Sequence, residues 1–274
     1  MIRLEDVSDN AFGRTSYVRC SVAHNDRGES YVKDLAFTAP YKIMAPFHRP
    51  NGCIQLMLMS ASAGIMAGDR QEFDFTIESG AQVEYISQAY EKIHQMVEGE
   101  AIRKTRVHVD SHAKLLFNPQ TTIPFKDSSY TNYMDIYLKD DSSCFFMSEI
   151  LSCGRAARDE KFQYTKYHNL VHIYRGKELI YRDNSRFAPS RYDMTGFGMY
   201  EGYSHMGTIF LSKSLLKDDS VAEESFLALL EKVSDLEGGF TRTAWGDYVV
   251  RLFAHRAQIL ETFVEDVIST FNLR

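Results

Sequence analysis

Residues 70–77 constrain the fold more than any other part of the chain. Phe73, Phe75 and Ile77 alternate with Glu72, Asp74 and Thr76. A strand points successive side chains to opposite faces, so this pattern buries one face and solvates the other. The same alternation recurs. Residues 16–23 set Val18, Cys20 and Val22 on one face, and residues 133–138 do so with Met134, Ile136 and Leu138. Residues 53–59 are apolar on both faces, which predicts a strand covered on both sides. Further strands are expected at 31–37, 83–87, 102–109, 114–117, 144–151, 170–174, 178–181 and 206–211. Asn25-Asp26-Arg27-Gly28 and Arg175-Gly176-Lys177 close two hairpins, and Ser79-Gly80 and Asp110-Ser111-His112 mark other turns.

The period changes late in the chain. Ser220-x-x-Glu223 has the form of a capping box. Ala222, Phe226, Leu229, Leu230 and Val233 follow at helical spacing, and Gly238-Gly239 is the expected stop. After a strand at 248–253, a last helix carries Ile259, Leu260, Phe263, Val264, Val267, Ile268 and Phe271 on one face. Many short strands followed by two helices predict a mainly β body of stacked sheets, with no strict repeat and one domain over 1–274.

Composition narrows the function. The net charge of −6 argues against nucleic acid as a partner, because a phosphate backbone calls for a basic face. Cys20, Cys53, Cys144 and Cys153 form no CxxC pair and are expected to be buried free thiols. Met1-Ile2-Arg3-Leu4-Glu5-Asp6 has no apolar leader core, and no run of about 18 apolar residues exists to span a membrane. A cytoplasmic protein is expected.

Catalytic and metal motifs fare poorly. His108 and His112 straddle a strand end and a turn. His168 and His172 share a strand face about 13 Å apart, too far for one ion. Cys144 and Cys153 read as packing. There is no GxxxxGK[ST] phosphate loop and no G-x-S-x-G elbow. Asp140-Asp141 and Asp218-Asp219 sit where solvent or a helix start satisfies them. Two acids stand apart. Asp69 follows a glycine turn between buried strands, where it either ties its own turn or lines a cavity. Glu149 lies inside an apolar strand, either facing a wet interior or outward on an edge strand.

Several blocks then resemble the urease accessory protein family called UreD or UreH. They are Pro46-Phe47, the turn with Gly64, Gly68 and Asp69, Gln88-Ala89-Tyr90-Glu91-Lys92-Ile93, Pro119-Gln120-Thr121-Thr122-Ile123-Pro124-Phe125 and Gly154-Arg155. They stand in the family's order with similar spacing. One departure is Ser62-Ala63-Gly64-Ile65-Met66-Ala67-Gly68-Asp69, where the family often has a proline and more glycines.

The resemblance implies a β-helix-like body with two helices and a non-catalytic role in urease maturation. It implies binding to a UreF-type accessory protein, to a UreG-type GTPase through it, and to apo-urease subunits, with a homo-oligomer inside that complex. No tightly bound cofactor is implied. Nickel is expected to cross transiently through an internal passage. A divalent cation in transit needs anionic, exchangeable walls rather than a His/Cys cage. Asp69, Glu149 and Asp183 are the candidate wall residues. Tyr90, Ile93, Phe263 and Phe271 are the candidate partner contacts, since interfaces favour apolar and aromatic anchors. The rival expectation is a carbohydrate-active enzyme with paired carboxylates.

Overall fold

The computed structural model describes residues 15–216 and 218–274. The N-terminal hexapeptide considered as a leader lies outside them. The body is a β-helix of two facing sheets. The chain passes from Ile54–Ser60 in an eleven-stranded sheet to Arg70–Ile77 in a seven-stranded sheet, and repeats that step three more times. Gln82–Ser87 leads to Ala101–Val109, Lys114–Asn118 to Ser129–Leu138, and Cys144–Ser152 to Lys166–Arg175. Each strand lies parallel to its counterpart one coil earlier. Thr15–His24 and Ser30–Phe37 form an antiparallel hairpin at one edge, and Lys166–Arg175 and Glu178–Phe187 form another at the opposite edge. Both hairpins were expected from their turns.

The alternating residues face inward, as the sequence predicts. Val18, Phe73, Phe75, Val107, Ile136, Val171 and Ile173 fill the space between the sheets against Leu56, Val83, Leu115, Phe145 and Met147. Each such side chain stabilises the fold by about 1.5–3 kcal/mol through burial. The opposite face of the seven-stranded sheet is charged rather than covered by helices. Arg19, Asp74, Arg106 and Asp135 stand side by side on successive strands, opposite in sign at each step, and His172 follows with Nδ1 3.0 Å from the Asp135 carboxylate. Tyr137 stacks between His108 and Tyr174, at 4.8 and 5.3 Å. Parallel sheets are normally covered on both faces; here this ladder lets one face meet water.

The outer face of the larger sheet carries both helices, α1 (Asp219–Lys232) and α2 (Ala257–Thr270). Leu260, Phe263, Val264, Val267 and Ile268 of α2 pack on Phe146, Ile150, Ile209 and Leu252, which realises the predicted stripe. Two local expectations need correction. Asp218, not Ser220, caps α1; its side chain accepts from the backbone amides of Ser220 and Val221. Gly238-Gly239 does not end α1, which stops at Lys232. The pair lies in the strand Leu236–Arg242, where a Cβ on Gly238 would meet the Arg251 carbonyl oxygen at 2.2 Å. That close approach explains the glycine better than a cap does. All four cysteines are free, and no described helix is long and apolar enough to cross a membrane.

Candidate functional site

The sequence blocks that seemed separate are stacked corners of the β-helix. Each time the chain leaves the eleven-stranded sheet, it turns on the same side of the body. Ile65 in the first corner bridges Ile93 in the second. Glu91–Ile93 runs parallel to Thr122–Pro124 in the third, placing Ile93 opposite Pro124, and Thr122 lies opposite Leu151 at the end of Cys144–Ser152. The stacking is tight enough to demand glycine. A Cβ on Gly64 (φ +153°) would stand 2.3 Å from the Lys92 carbonyl oxygen, and one on Gly154 (φ +133°) 2.1 Å from that of Glu160. Arg155 grips Glu160 with Nε and Nη2 at 2.7 and 2.5 Å and lies 4.1 Å over the Phe125 ring. Helix α2 ties the column down: Thr121 Oγ1 and Tyr90 Oη donate to the two carboxylate oxygens of Glu261.

Behind this column the apolar filling gives way to a polar line. Gln71, Arg103, Asn132, Asn169 and Ser185 stand opposite one another on five successive strands of the seven-stranded sheet, all pointing inward. The facing sheet contributes Glu149, opposite Thr208, which is opposite Arg251. A cavity of about 70 Å³ lies between them, with Tyr130, Tyr167, Asp183 and Gln120 also in its wall. That is room for roughly two to five waters. The amide of Asn132 donates to Asn169 Oδ1 at 2.8 Å, and Asn169 Nδ2 donates to Glu149 Oε2 at 3.0 Å. Asn132 Oδ1 has no partner among the described side chains and backbone. Buried polar atoms are rarely left so, which marks the cavity as polar and hydratable.

Glu149 is half-buried and lines this cavity. Burial, reinforced by the negative charge of Asp183, pushes its carboxyl up to about 7. Asp183 is held differently. It accepts from Arg251 Nη2 at 2.5 Å and Ser185 Oγ at 3.1 Å. Of the two acids in one cavity, Asp183 is paired with an arginine, and Glu149 is shifted toward its neutral form.

A second cavity, of about 130 Å³, opens among the corners. Ser62, Gly64, Ile65, Gln88, Tyr90 and Lys92 line it. Tyr85, Glu91, Arg103, Pro119 and Gln120 line both cavities. At this neck Arg103 donates to Glu91 through Nη1 (2.6 Å) and Nη2, and through Nε to Gln71 Oε1 (2.8 Å). Its guanidinium lies 4.7 Å over the Phe73 ring.

The structure brings Glu149 and Asp183 to one cavity. Glu149 is on a central strand, not an edge. Asp69 lies off both cavities: its carboxylate accepts from the Met66 amide at 2.8 Å, tying the turn that contains Gly68. Gln88, Lys92, Pro119 and Gln120 fall on the cavity walls, and Pro124, Gly154 and Arg155 on the corner column. Tyr90 is half-buried at the outer cavity. Ile93 and Phe263, expected as partner contacts, are instead completely buried, and Phe271 is half-buried against Phe226. Their apolar character serves the core.

Sequence reading missed Arg103, Asn132 and Asn169. The signal was there: each has the parity of inward-facing neighbours, Asn132 with Met134 and Ile136, Asn169 with Val171 and Ile173. A polar residue at an apolar parity position in several strands is the mark of a lined interior. Among the described residues, no cluster of three His, Cys, Asp or Glu side chains is placed to hold a metal ion.

Comparison with known proteins finds relatives along nearly the whole chain. The family model described as UreD urease accessory protein matches residues 15–274. The chain is 32% identical over 259 residues to a urease accessory protein UreD of Acetivibrio thermocellus, covering 93% of this chain and 97% of that protein. It is 29% identical over 251 residues to a urease accessory protein UreH of Helicobacter pylori, covering 92% of each. A UreH of Helicobacter hepaticus is 28% identical over 94% of this chain and 99% of its own length. A match across essentially every described coil, corner and helix places this chain in the UreD urease accessory protein family.

Proposed function

We propose that this protein is a non-catalytic urease maturation factor that binds apo-urease and other accessory proteins and conducts nickel to the urease site. The observation that carries the reading is the pair of adjoining cavities, which share five wall residues, with Glu149 and Asp183 in the inner one. Moving a hydrated divalent cation into an apolar core is prohibitive. A cavity with room for only a few waters must replace part of the hydration shell with protein oxygens. Glu149, Asp183, Asn169 and Thr208 supply such oxygens with no thiolate or histidine cage, a donor set that suits brief, exchangeable contacts. Burial shifts Glu149 toward its protonated form, so a bound cation competes with a proton for this carboxylate.

In this reading Asp69 acts indirectly. It holds the turn that puts Gly64 and Ile65 in the outer cavity wall. The outer cavity lies among the corners, and Tyr90 in its wall is offered to a partner. Nickel handed from a UreG-type GTPase through a UreF-type protein would enter on this side, with homo-oligomerisation inside the assembly.

Urease activation with purified components tests the proposal. Glu149→Ala and Asp183→Asn are expected to keep assembly with urease intact while lowering the activation rate by about tenfold, the loss expected when an anionic contact worth ~1.4 kcal/mol is removed. Unchanged activation in both variants would remove the inner cavity from the route. Loss of assembly would instead assign these acids to folding or docking.

A further inference from the structure

The neck between the cavities holds a positive charge, which is an odd thing to find on a route for cations. Five residues line both cavities, and two of them form the bidentate Glu91–Arg103 pair. The Arg103 side chain is only 12% exposed and the Glu91 side chain 26%. Arg103 is therefore the more enclosed member of the pair and Glu91 the more open one. The guanidinium keeps its charge at any accessible pH. While the pair is closed, a divalent cation in the outer cavity meets a fixed positive charge next to the carboxylate it would bind.

Arg103 has a second seat that does not involve Glu91. Its Nε donates to Gln71 Oε1, its plane lies over Phe73, and the Tyr130 ring centroid is 6.0 Å away. An amide oxygen and two aromatic faces can hold a guanidinium without a counter-ion at contact distance. Glu91 is less confined. It heads the three-residue strand Glu91–Ile93 in the corner column, and Ser87, Gln88 and Gln120 beside it in the outer cavity are neutral. Its carboxylate can turn outward past them without meeting another anion.

We propose that Glu91 and Arg103 form an exchange bolt across the passage. A divalent cation entering the outer cavity takes the Glu91 carboxylate in place of Arg103. The guanidinium stays on Gln71, Phe73 and Tyr130, and the neck opens toward Asn132, Asn169 and Glu149. The bolt rests on the conduit reading above and adds to it a closed resting state, in which the inner cavity is sealed until a cation competes for Glu91. No covalent bond changes; one ionic partner replaces another.

The two halves of a bolt respond in opposite directions, which a merely structural ion pair does not do. In the assembled complex with apo-urease, using nickel alone at subsaturating concentration, Arg103→Met removes the barrier and should raise the initial activation rate several-fold. Glu91→Gln leaves the guanidinium unneutralised in the neck and should lower that rate by about tenfold or more. Thermal unfolding of each variant reports whether the fold is intact. If Arg103→Met does not fold, the neutral pair Glu91→Gln/Arg103→Gln takes its place. It should recover activation well above Glu91→Gln alone when both are compared at equal folded fraction. Arg103→Met and Glu91→Gln both slowing activation, or a double variant no faster than Glu91→Gln, would overturn the bolt. Glu149→Gln serves as the control. If it slows activation while the neck variants fail, only the bolt is wrong. If both Glu149→Gln and Asp183→Asn change nothing, the inner cavity is not on the route and the conduit reading on which the bolt rests is wrong.

Discussion

At the scale of single residues, Glu149 shows how one polar position changes the meaning of a strand. Phe145, Met147 and Leu151 share its parity and are buried. In their company a carboxylate is costly unless protonated or wet. Its carboxyl rises from the ordinary 4.5 to about 7. The folded protein therefore binds more protons than the unfolded chain between these values. Stability falls as pH rises through that window and levels off above it. Glu149→Gln removes the titration. Relative to the parent, the variant should be more stable by under about 1 kcal/mol at pH 5 and by at most about 3 kcal/mol at pH 8. Urea unfolding at the two pH values measures this. An offset equal at both would mean that Glu149 does not titrate in the fold as described. Asp69 makes the opposite point. Its sequence setting fitted both a cavity wall and a turn, and the Met66 amide at 2.8 Å satisfies it in the turn.

At the scale of elements, the corners determine where the cavities can exist. Strands were legible because period-two alternation is a local property of the chain. The corners were visible only as unusual blocks, since their partners lie a full coil away in sequence. Gly154 illustrates the constraint. It adopts φ +133°, and a Cβ would meet the Glu160 carbonyl oxygen at 2.1 Å. Gly154→Ala should cost roughly 3 kcal/mol or more through backbone strain and the forced separation of two stacked segments. Gly239→Ala, where a Cβ would meet nothing within 4 Å, should stay within about 1 kcal/mol. Thermal unfolding of the two variants compares them. Equal losses would mean that the corner column tolerates a side chain. The helices carry the same lesson. α2 was legible as an amphipathic stripe, but the stop of α1 was misplaced onto Gly238-Gly239, because glycine marks a close backbone approach as readily as a helix end.

At the scale of the molecule, the two sheets treat water differently. The larger one is covered by α1 and α2, and the smaller one meets solvent with its alternating Arg19, Asp74, Arg106 and Asp135 row. Between them the filling is apolar along most of the coil and polar along one line. Co-expression with urease subunits and the other accessory proteins is expected to yield a soluble assembly containing this chain, with its mass giving the stoichiometry. A folded protein that never co-purifies with them would contradict the maturation role at its root.

The sequence by itself determined the class of fold, the two late helices and the family, because alternation, helical stripes and ordered motif blocks are all written along the chain. It also singled out Asp69 first, Glu149 second and Asp183 third as candidate wall acids, of which the last two line the cavity and the first ties its own turn. What only the tertiary structure decided is which polar residues share a space. Gln71, Arg103, Asn132, Asn169 and Ser185 come from five strands spread over more than a hundred residues, and they become neighbours only when parallel coils stack in register. Registration between coils is set by packing of whole rungs and by the glycine-tight corners, not by any local preference. The line through the interior, and the arginine standing across it, exist only at that level.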